Sequence, residues 1–132
     1  MNWLAVLMAA IAGFAFGAAY YMSLSKPWLA AIGKTKEQIA AEGKGSPIPF
    51  IVSIVALAVM AVVLAGTTGR LGPVTLKSGV VTALFMWLGF VVTTMAVNNA
   101  FGQRKGSLTI IDGIHWLGVL VVQGAIIGAM GV

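Results

Sequence analysis

The chain has 132 residues, of which 60% are hydrophobic and 8% charged, and its formal net charge is +5. Soluble domains carry about 25% charged residues, so this chain has too little polar surface to cover a globule in water. Cysteine is absent, which excludes disulfides, thiolate metal ligands and cysteine nucleophiles.

Four runs without Asp, Glu, Lys or Arg cover residues 1–25, 45–69, 78–103 and 113–132. Each is near the roughly 20 residues that a helix needs to cross about 30 Å of hydrocarbon. The apolar runs are continuous rather than alternating, which favours helices over a β-barrel. The sequence therefore predicts an all-α membrane protein with a single domain over residues 1–132. Its transmembrane spans are predicted at about 3–24, 48–66, 78–97 and 110–130, in a compact antiparallel bundle.

The first run differs from a secretory signal, because it lacks a basic start and its apolar stretch is too long. We therefore expect a retained helix. Trp3, Tyr20, Tyr21 and Trp28 lie near the two ends of this span. Amphipathic rings favour the headgroup region, so these residues are predicted to anchor the helix at both interfaces.

The first loop contains the stretch TKEQIAAEG, in which Thr35 precedes Gln38 by three residues and Gly43 closes the stretch. This is the pattern of a capping box followed by a glycine stop. It predicts a short helix at the membrane interface. Pro47 and Pro49 then open the second span, where a missing amide hydrogen costs least.

Basic residues are distributed unequally between the loops. The first and third loops hold Lys26, Lys34, Lys36, Lys44, Arg104 and Lys105, whereas the second holds Arg70 and Lys77. By the positive-inside rule the first and third loops are cytoplasmic, and both termini are periplasmic or extracellular. Contact with anionic lipid headgroups explains the basic residues better than binding to nucleic acid, so the expected partner is the lipid bilayer.

Small residues recur at helical spacing in the first and fourth spans. Ala9, Gly13 and Gly17 follow one another every four residues, as do Gly124 and Gly128. This spacing lets helix backbones approach closely and gain dispersion contacts within lipid. We expect these residues to pack helices together within one chain, and a subunit interface is the alternative.

Polar residues gather near one end of the predicted bundle. Asp112, His115, Trp116 and Gln123 share one face of the fourth span. Ionisable groups within a span usually face the bundle interior and raise a functional-site hypothesis. The residues predicted to meet in one polar pocket are Tyr20, Tyr21, Asn98, Asn99, Asp112, His115 and Gln123.

Structural explanations compete with this hypothesis. Thr109 lies three residues before Asp112, so the carboxylate fits an acidic variant of the capping box at the start of the fourth helix. His115 fits a buried histidine that hydrogen-bonds Asp112 or Asn98.

Catalytic and cofactor chemistry finds little support in the residue types. One histidine and one aspartate do not supply the three protein ligands of a zinc site, so no metal is expected. A tetrapyrrole held by His115, or by one histidine from each of two chains, is not excluded by the residue types, although no cofactor is predicted. The chain has no G-x-S-x-G turn and no serine near His115 in sequence, and we do not expect an enzyme.

The stretches YYMSLSKPWLAAIG and WLGFVVTTMAVNNAFGQRKGSLTIIDGIHWLGVLVVQGAIIGA resemble the bacterial membrane proteins of the domain of unknown function 1761 family. The resemblance covers nearly the whole chain and rests on Tyr20, Tyr21, Lys26, Pro27, Trp28, Trp87, Gly89, Phe90, Gly113 and His115. It implies a small integral membrane fold of the bacterial inner (plasma) membrane, and no activity, substrate or cofactor. In the family pattern asparagine is more frequent at the position of Asp112, which implies that a neutral amide suffices there.

These observations predict a small multi-pass membrane protein without a catalytic site. Its expected role is that of a structural or accessory component, either as a homo-oligomer or with a membrane protein partner. The alternative is a transporter or channel for a small solute or a proton, using the polar pocket at the cytoplasmic end of the bundle.

Overall fold

Four long apolar helices make up most of the fold. The computed structural model describes residues 1–43 and 45–132, and it contains four helices that are long and apolar enough to cross a membrane. They are α1 (Trp3–Ser23), α4 (Ile48–Leu71), the continuous helix Leu76–Phe101 and α7 (Gly106–Met130). The third consists of α5 (Leu76–Met86), a π-helical segment (Trp87–Val91) and α6 (Val92–Phe101). The described residues contain no β-strand, and the predicted all-α membrane fold is confirmed.

Three of the four long helices extend beyond the predicted spans, and α1 matches its prediction. α4 continues from residue 66 to Leu71, and α7 begins at Gly106 rather than at residue 110. Helical hydrogen bonding needs no apolar side chains, so a helix can continue past the hydrocarbon into the headgroup region. Hydropathy therefore locates a span without locating the ends of its helix.

Two contacts between distant parts of the chain define the ends of the bundle. The Asn2 side chain donates to the Met130 carbonyl at 3.2 Å, which brings the two termini together. The Lys105 ammonium donates to the Ala30 carbonyl at 3.1 Å, which joins the third loop to the first. We call these the terminal end and the basic end. Lys44, one of the basic residues predicted to face the cytoplasm, lies outside the described residues.

The first loop forms two short helices, α2 (Ser25–Ile32) and α3 (Lys36–Gly43). The predicted helix is α3, and its capping box is present: Gln38 N–H donates to Thr35 Oγ1 at 3.1 Å and Thr35 N–H to Gln38 Oε1 at 2.8 Å. Sequence reasoning missed α2, which ends at Gly33 in the left-handed conformation (φ 70°). The glycine can adopt this φ without a Cβ penalty.

The packed core lies in the terminal half of the bundle. α7 is the central helix and packs most closely against α5 and α1, with further contacts to α4 and α6. The core side chains are Val6, Ala9, Ala61, Leu64, Ala65, Ala83, Leu120 and Ile127. Near the basic end, by contrast, the apolar side chains in the first turns of α4, such as Ile48, Phe50 and Ile51, are exposed. In a bilayer these side chains would face lipid.

Backbone contact between α5 and α7 holds the terminal half together. A Cβ built on Gly124 would collide with the Gly79 carbonyl oxygen, and one built on Gly128 would collide with that of Thr75. Gly124 and Gly128 thus lie at a helix contact inside one chain. Gly79, on the partner helix, was not singled out from the sequence, although Gly79 and Ala83 show the same four-residue spacing.

Gly124→Ala should destabilise the bundle, since the methyl group has backbone rather than a flexible side chain in its path. Overpacking of this kind costs about 1–3 kcal/mol. Gly113→Ala on the same helix is the control, because its Cβ would lie 3.5 Å from Val92, an ordinary contact distance. Thermal unfolding in detergent, followed by circular dichroism, measures both. Equal midpoints for the two variants would contradict the proposed backbone contact.

Candidate ligand-binding site

Two consecutive tyrosines join the end of α1 to α7. The Tyr20 hydroxyl donates to the Ile111 carbonyl at 2.6 Å, and the Tyr21 hydroxyl donates to Asp112 Oδ1 at 2.6 Å. Each hydroxyl thus reaches one of two successive residues of α7. These rings were predicted to anchor the helix in the headgroup region, but their hydroxyls also hydrogen-bond to α7.

The predicted capping role of Asp112 is wrong. α7 begins at Gly106, its N-cap residue is Lys105, and its first turn contains no acidic residue. The chain enters the helix directly after its last basic residues, so Asp112 lies in the second turn, where the amide hydrogens already have intrahelical partners. Thr109 instead accepts a hydrogen bond from Asn99 Nδ2 at 2.9 Å.

His115 lies among aromatic rings and has no hydrogen bond to Asp112 or Asn98. Its ring centroid is 4.7 Å from that of Tyr21 and 4.6 Å from that of Trp116, and the side chain is 7% exposed. Nδ1 is buried and has no hydrogen-bond partner among the described residues. The simple structural explanation, a buried histidine paired with a neighbouring polar group, therefore does not hold.

Gly17 makes room for the imidazole. A Cβ at this position would lie 2.8 Å from His115 Nε2, closer than side chains normally approach. Gly13, one turn earlier, faces Gln123, Leu57 and Val119. The small residues of α1 thus permit close packing near Gly13 and admit a ring near Gly17.

A cavity of about 300 Å³ lies beside His115, between α1, α4 and α7. Its wall contains residues from all three helices, including the exposed residues Ala18 of α1 and Phe50 of α4. The lining residues are Gly13, Phe14, Gly17, Ala18, Tyr21, Phe50, Ser53, Leu57, His115 and Trp116. Ligand sites in proteins are typically apolar clefts of about 300–1,000 Å³ with a few polar groups, and this cavity meets that description at the lower limit of size.

The predicted polar pocket is divided in the structure. Tyr21 and His115 line the cavity, and Tyr20 and Asp112 adjoin it through the contacts described above. Asn98, in contrast, is exposed in a separate shallow depression on α6. Because α1 and α6 pack on different sides of α7, residues at a similar depth on these helices do not meet.

Gln123 also lies outside the cavity lining. It is fully buried, and its Nε2 donates to the Leu57 carbonyl at 3.1 Å. Its Oε1 has no partner among the residues that the structure describes. The shared helical face predicted for Gln123 and His115 does not place them in one site, because eight residues of helix separate them by about 12 Å.

Several site residues were missed by sequence reasoning. Phe50, Ser53 and Leu57 follow the i, i+3, i+7 spacing of one helical face, and Phe14 and Ala18 are four residues apart. That spacing was a usable signal, but it is common to every apolar helix. It does not by itself show which face encloses a cavity.

Trp87, one of the residues that carry the family resemblance, makes a specific contact with α7. Its indole Nε1 donates to the Gly113 carbonyl at 2.8 Å, from the first position of the π-helical segment. π-Helical turns are rare and often occur at functional sites. Together with the tyrosines and Asn99, Trp87 brings hydrogen bonds from two neighbouring helices, α1 and the helix Leu76–Phe101, onto the stretch of α7 that precedes His115.

A known protein family matches nearly the whole chain. The family described as "Protein of unknown function (DUF1761)" matches residues 4–128. The chain belongs to this family. The resemblance inferred from the sequence is therefore confirmed. The family's description assigns no activity, so a function has to come from the geometry of the site. No curated protein and no solved structure matches the chain.

The hydrogen bond between Tyr21 and Asp112 leads to a prediction about neutral replacements. Asp112→Asn retains a carbonyl oxygen that can accept from the tyrosine, whereas Asp112→Leu leaves the hydroxyl without a partner. An unsatisfied hydroxyl costs about 1–3 kcal/mol when it is fully buried. Tyr21 is half-buried, so a smaller cost is expected, and the leucine variant should unfold at a lower temperature than the asparagine variant. Circular dichroism in detergent provides the comparison, and indistinguishable variants would show that this hydrogen bond is unimportant for stability.

Proposed function

We propose that the protein is a non-enzymatic membrane component that binds a small molecule in the cavity beside His115. One observation carries the proposal: a histidine side chain, 93% buried, lines a cavity of about 300 Å³ and has an unpartnered Nδ1. The great majority of buried side-chain polar atoms have a hydrogen-bond partner, so each exception needs an explanation.

A bound molecule would offset the cost of this arrangement. Leaving Nδ1 buried and unsatisfied costs about 1–3 kcal/mol. Because protein encloses this atom, a ligand would offset the cost through a hydrogen bond to Nε2, the ring atom beside Gly17. The surrounding rings of Tyr21 and Trp116 hold the imidazole in place, and Gly17 leaves its Nε2 edge uncovered by a side chain. The site is therefore preorganised to recognise one polar group of a ligand.

Binding without catalysis fits the side chains in the cavity wall. Ser53 is the nucleophile-type residue that sequence reasoning did not place near His115. Its hydroxyl donates to the Pro49 carbonyl of its own helix at 2.8 Å. A serine activated by histidine would instead donate to the imidazole. This arrangement supports a binding role over nucleophilic catalysis.

The charge distribution supports an orientation for the site. Among the described residues, the basic end holds Lys26, Lys34, Lys36, Arg104 and Lys105, and the terminal end holds Arg70 and Lys77. We propose that the basic end faces the cytoplasm in the inner (plasma) membrane of a bacterium, with both termini outside. The cavity then lies in the cytoplasmic half of the bilayer.

A cavity-filling variant tests the binding proposal. Ser53→Phe adds a ring to the lining of the cavity, and Val52→Phe adds the same ring to an exposed position on the same helix. Both proteins are purified from their membranes beside the wild type, and the small molecules extracted from each are identified by mass spectrometry. A compound enriched with the wild type and with Val52→Phe should be lost from Ser53→Phe. Identical profiles for all three proteins would overturn the proposal.

Transport of the bound molecule or of a proton is an extension of the same proposal. Four spans make a small scaffold for alternating access, so a carrier would require two copies. In proteoliposomes, flux that Asp112→Asn and His115→Ala leave unchanged would count against transport and would leave a receptor or storage role in place.

A homo-oligomeric accessory role is a second candidate. The glycines of α1 and α7 pack within the chain, so a subunit interface would need another surface. Gly89 supplies one: it is exposed, a Cβ there would meet nothing within 4 Å, and Phe85 and Phe90 flank it. An exposed glycine on a membrane helix allows a second helix to approach closely.

Native mass spectrometry in mild detergent tests this second candidate. The wild type should form a stable oligomer, and Gly89→Leu should shift it towards the monomer while leaving the helical content unchanged. A wild type that is strictly monomeric, without a co-purifying chain, would contradict both the oligomer and the accessory-subunit role.

A further inference from the structure

The lining of the His115 cavity includes exposed residues of two neighbouring membrane-spanning helices. α1 contributes Ala18 and α4 contributes Phe50 to the lining, and both side chains are exposed. Both residues lie within helices that are apolar enough to cross a membrane. An opening between such helices faces lipid, so a molecule dissolved in the bilayer can reach His115 without first crossing into water.

The cavity wall selects against charge. None of its lining residues is Asp, Glu, Lys or Arg, and its rings come from Phe14, Tyr21, Phe50 and Trp116. Burying a charged ligand without a paired charge would be strongly unfavourable. An uncharged and mainly apolar molecule is therefore the class of ligand that this wall accommodates.

His115 is the polar group that remains available in the wall. The Tyr21 hydroxyl already donates to Asp112 Oδ1, and the Ser53 hydroxyl already donates to the Pro49 carbonyl. Nδ1 is enclosed by protein and has no hydrogen-bond partner among the described residues, so Nε2, beside Gly17, is the ring atom that a ligand can reach. A ligand that satisfies it needs one oxygen atom, either as a carbonyl that accepts from imidazole N–H or as a hydroxyl that donates to imidazole N.

The volume limits the ligand to a small ring system. An apolar cavity of about 150 Å³ binds benzene. The His115 cavity, at about 300 Å³, has room for roughly two such rings. Flat rings also match walls made of aromatic side chains, which prefer stacked or edge-to-face contacts.

We propose that the His115 cavity binds an uncharged, lipid-soluble compound of one or two rings that carries a carbonyl or hydroxyl oxygen, and that this compound enters from the bilayer between α1 and α4. The assignment rests on the proposed binding function and gives it a ligand class and a route. His115 recognises the oxygen, and the aromatic wall holds the rings.

Binding of a defined probe tests the ligand class. 1,4-Naphthoquinone carries the required oxygen atoms, and naphthalene has the same rings without them. With the protein in lipid nanodiscs, and empty nanodiscs as the correction for partitioning, naphthoquinone should raise the unfolding temperature more than naphthalene does. One hydrogen bond should make the wild type's affinity for naphthoquinone about two- to tenfold higher than its affinity for naphthalene. His115→Phe should remove this preference. Ser53→Phe should abolish binding of both compounds, and Val52→Phe should preserve it.

Equal binding of naphthoquinone and naphthalene to the wild type would overturn the recognition of oxygen by His115. Binding of neither compound would overturn the proposed ligand class. The extraction experiment remains independent of these results: a charged or water-soluble compound lost specifically from Ser53→Phe would preserve the binding function and reject the ligand class.

Spin labelling tests the route. The chain has no cysteine, so Ser53→Cys, Val52→Cys and Ser107→Cys each provide a single attachment site for a nitroxide. Val52 is exposed on α4, and Ser107 is exposed in the first turn of α7 at the basic end. In proteoliposomes, collisions with oxygen report lipid and collisions with a water-soluble nickel chelate report water. The label at Ser53 should collide mainly with oxygen, as the label at Val52 does. Frequent collisions with the nickel chelate, as at Ser107, would show a water-filled opening and reject access from the bilayer.

Discussion

The arrangement of the bundle depends on the backbone contact between α5 and α7. Within hydrocarbon, apolar side chains gain little by leaving lipid for protein, so helices associate through close packing and hydrogen bonds. Gly79, Gly124 and Gly128 provide the close packing, since any side chain at these positions would hold the two backbones apart. This contact sets α7 at the centre of the terminal half, and the other helices pack around it.

The basic half is held together in a different way. There, hydroxyl and indole groups from neighbouring helices reach the backbone and side chains of α7 just before His115. Tyr20 and Tyr21 reach it from α1, and Trp87 reaches it from the π-helical segment. Such hydrogen bonds fix distances between helices without filling the space between them. A bundle that is tightly packed at one end and hydrogen-bonded at the other can therefore retain a cavity.

The two buried polar side chains of α7 illustrate this difference. Gln123 lies in the packed region and uses its amide to reach the Leu57 carbonyl on α4. His115 lines the cavity together with residues of α4, and its neighbours are aromatic rings. The same helix thus carries one polar residue that joins two helices and one that faces a cavity, and their separation along the helix accounts for the difference.

The sequence by itself determined the four apolar spans, the capping box of α3, the concentration of basic residues at one end and the family of the chain. These features depend on composition and on spacing along a single helix, so they can be predicted without knowing which helices are neighbours. The partners of Asp112, the separation of Asn98 from His115 and the cavity between α1, α4 and α7 were decided by the tertiary structure. Each depends on the side of α7 to which another helix packs, and glycine contacts and interhelical hydrogen bonds between residues far apart in sequence decide that choice.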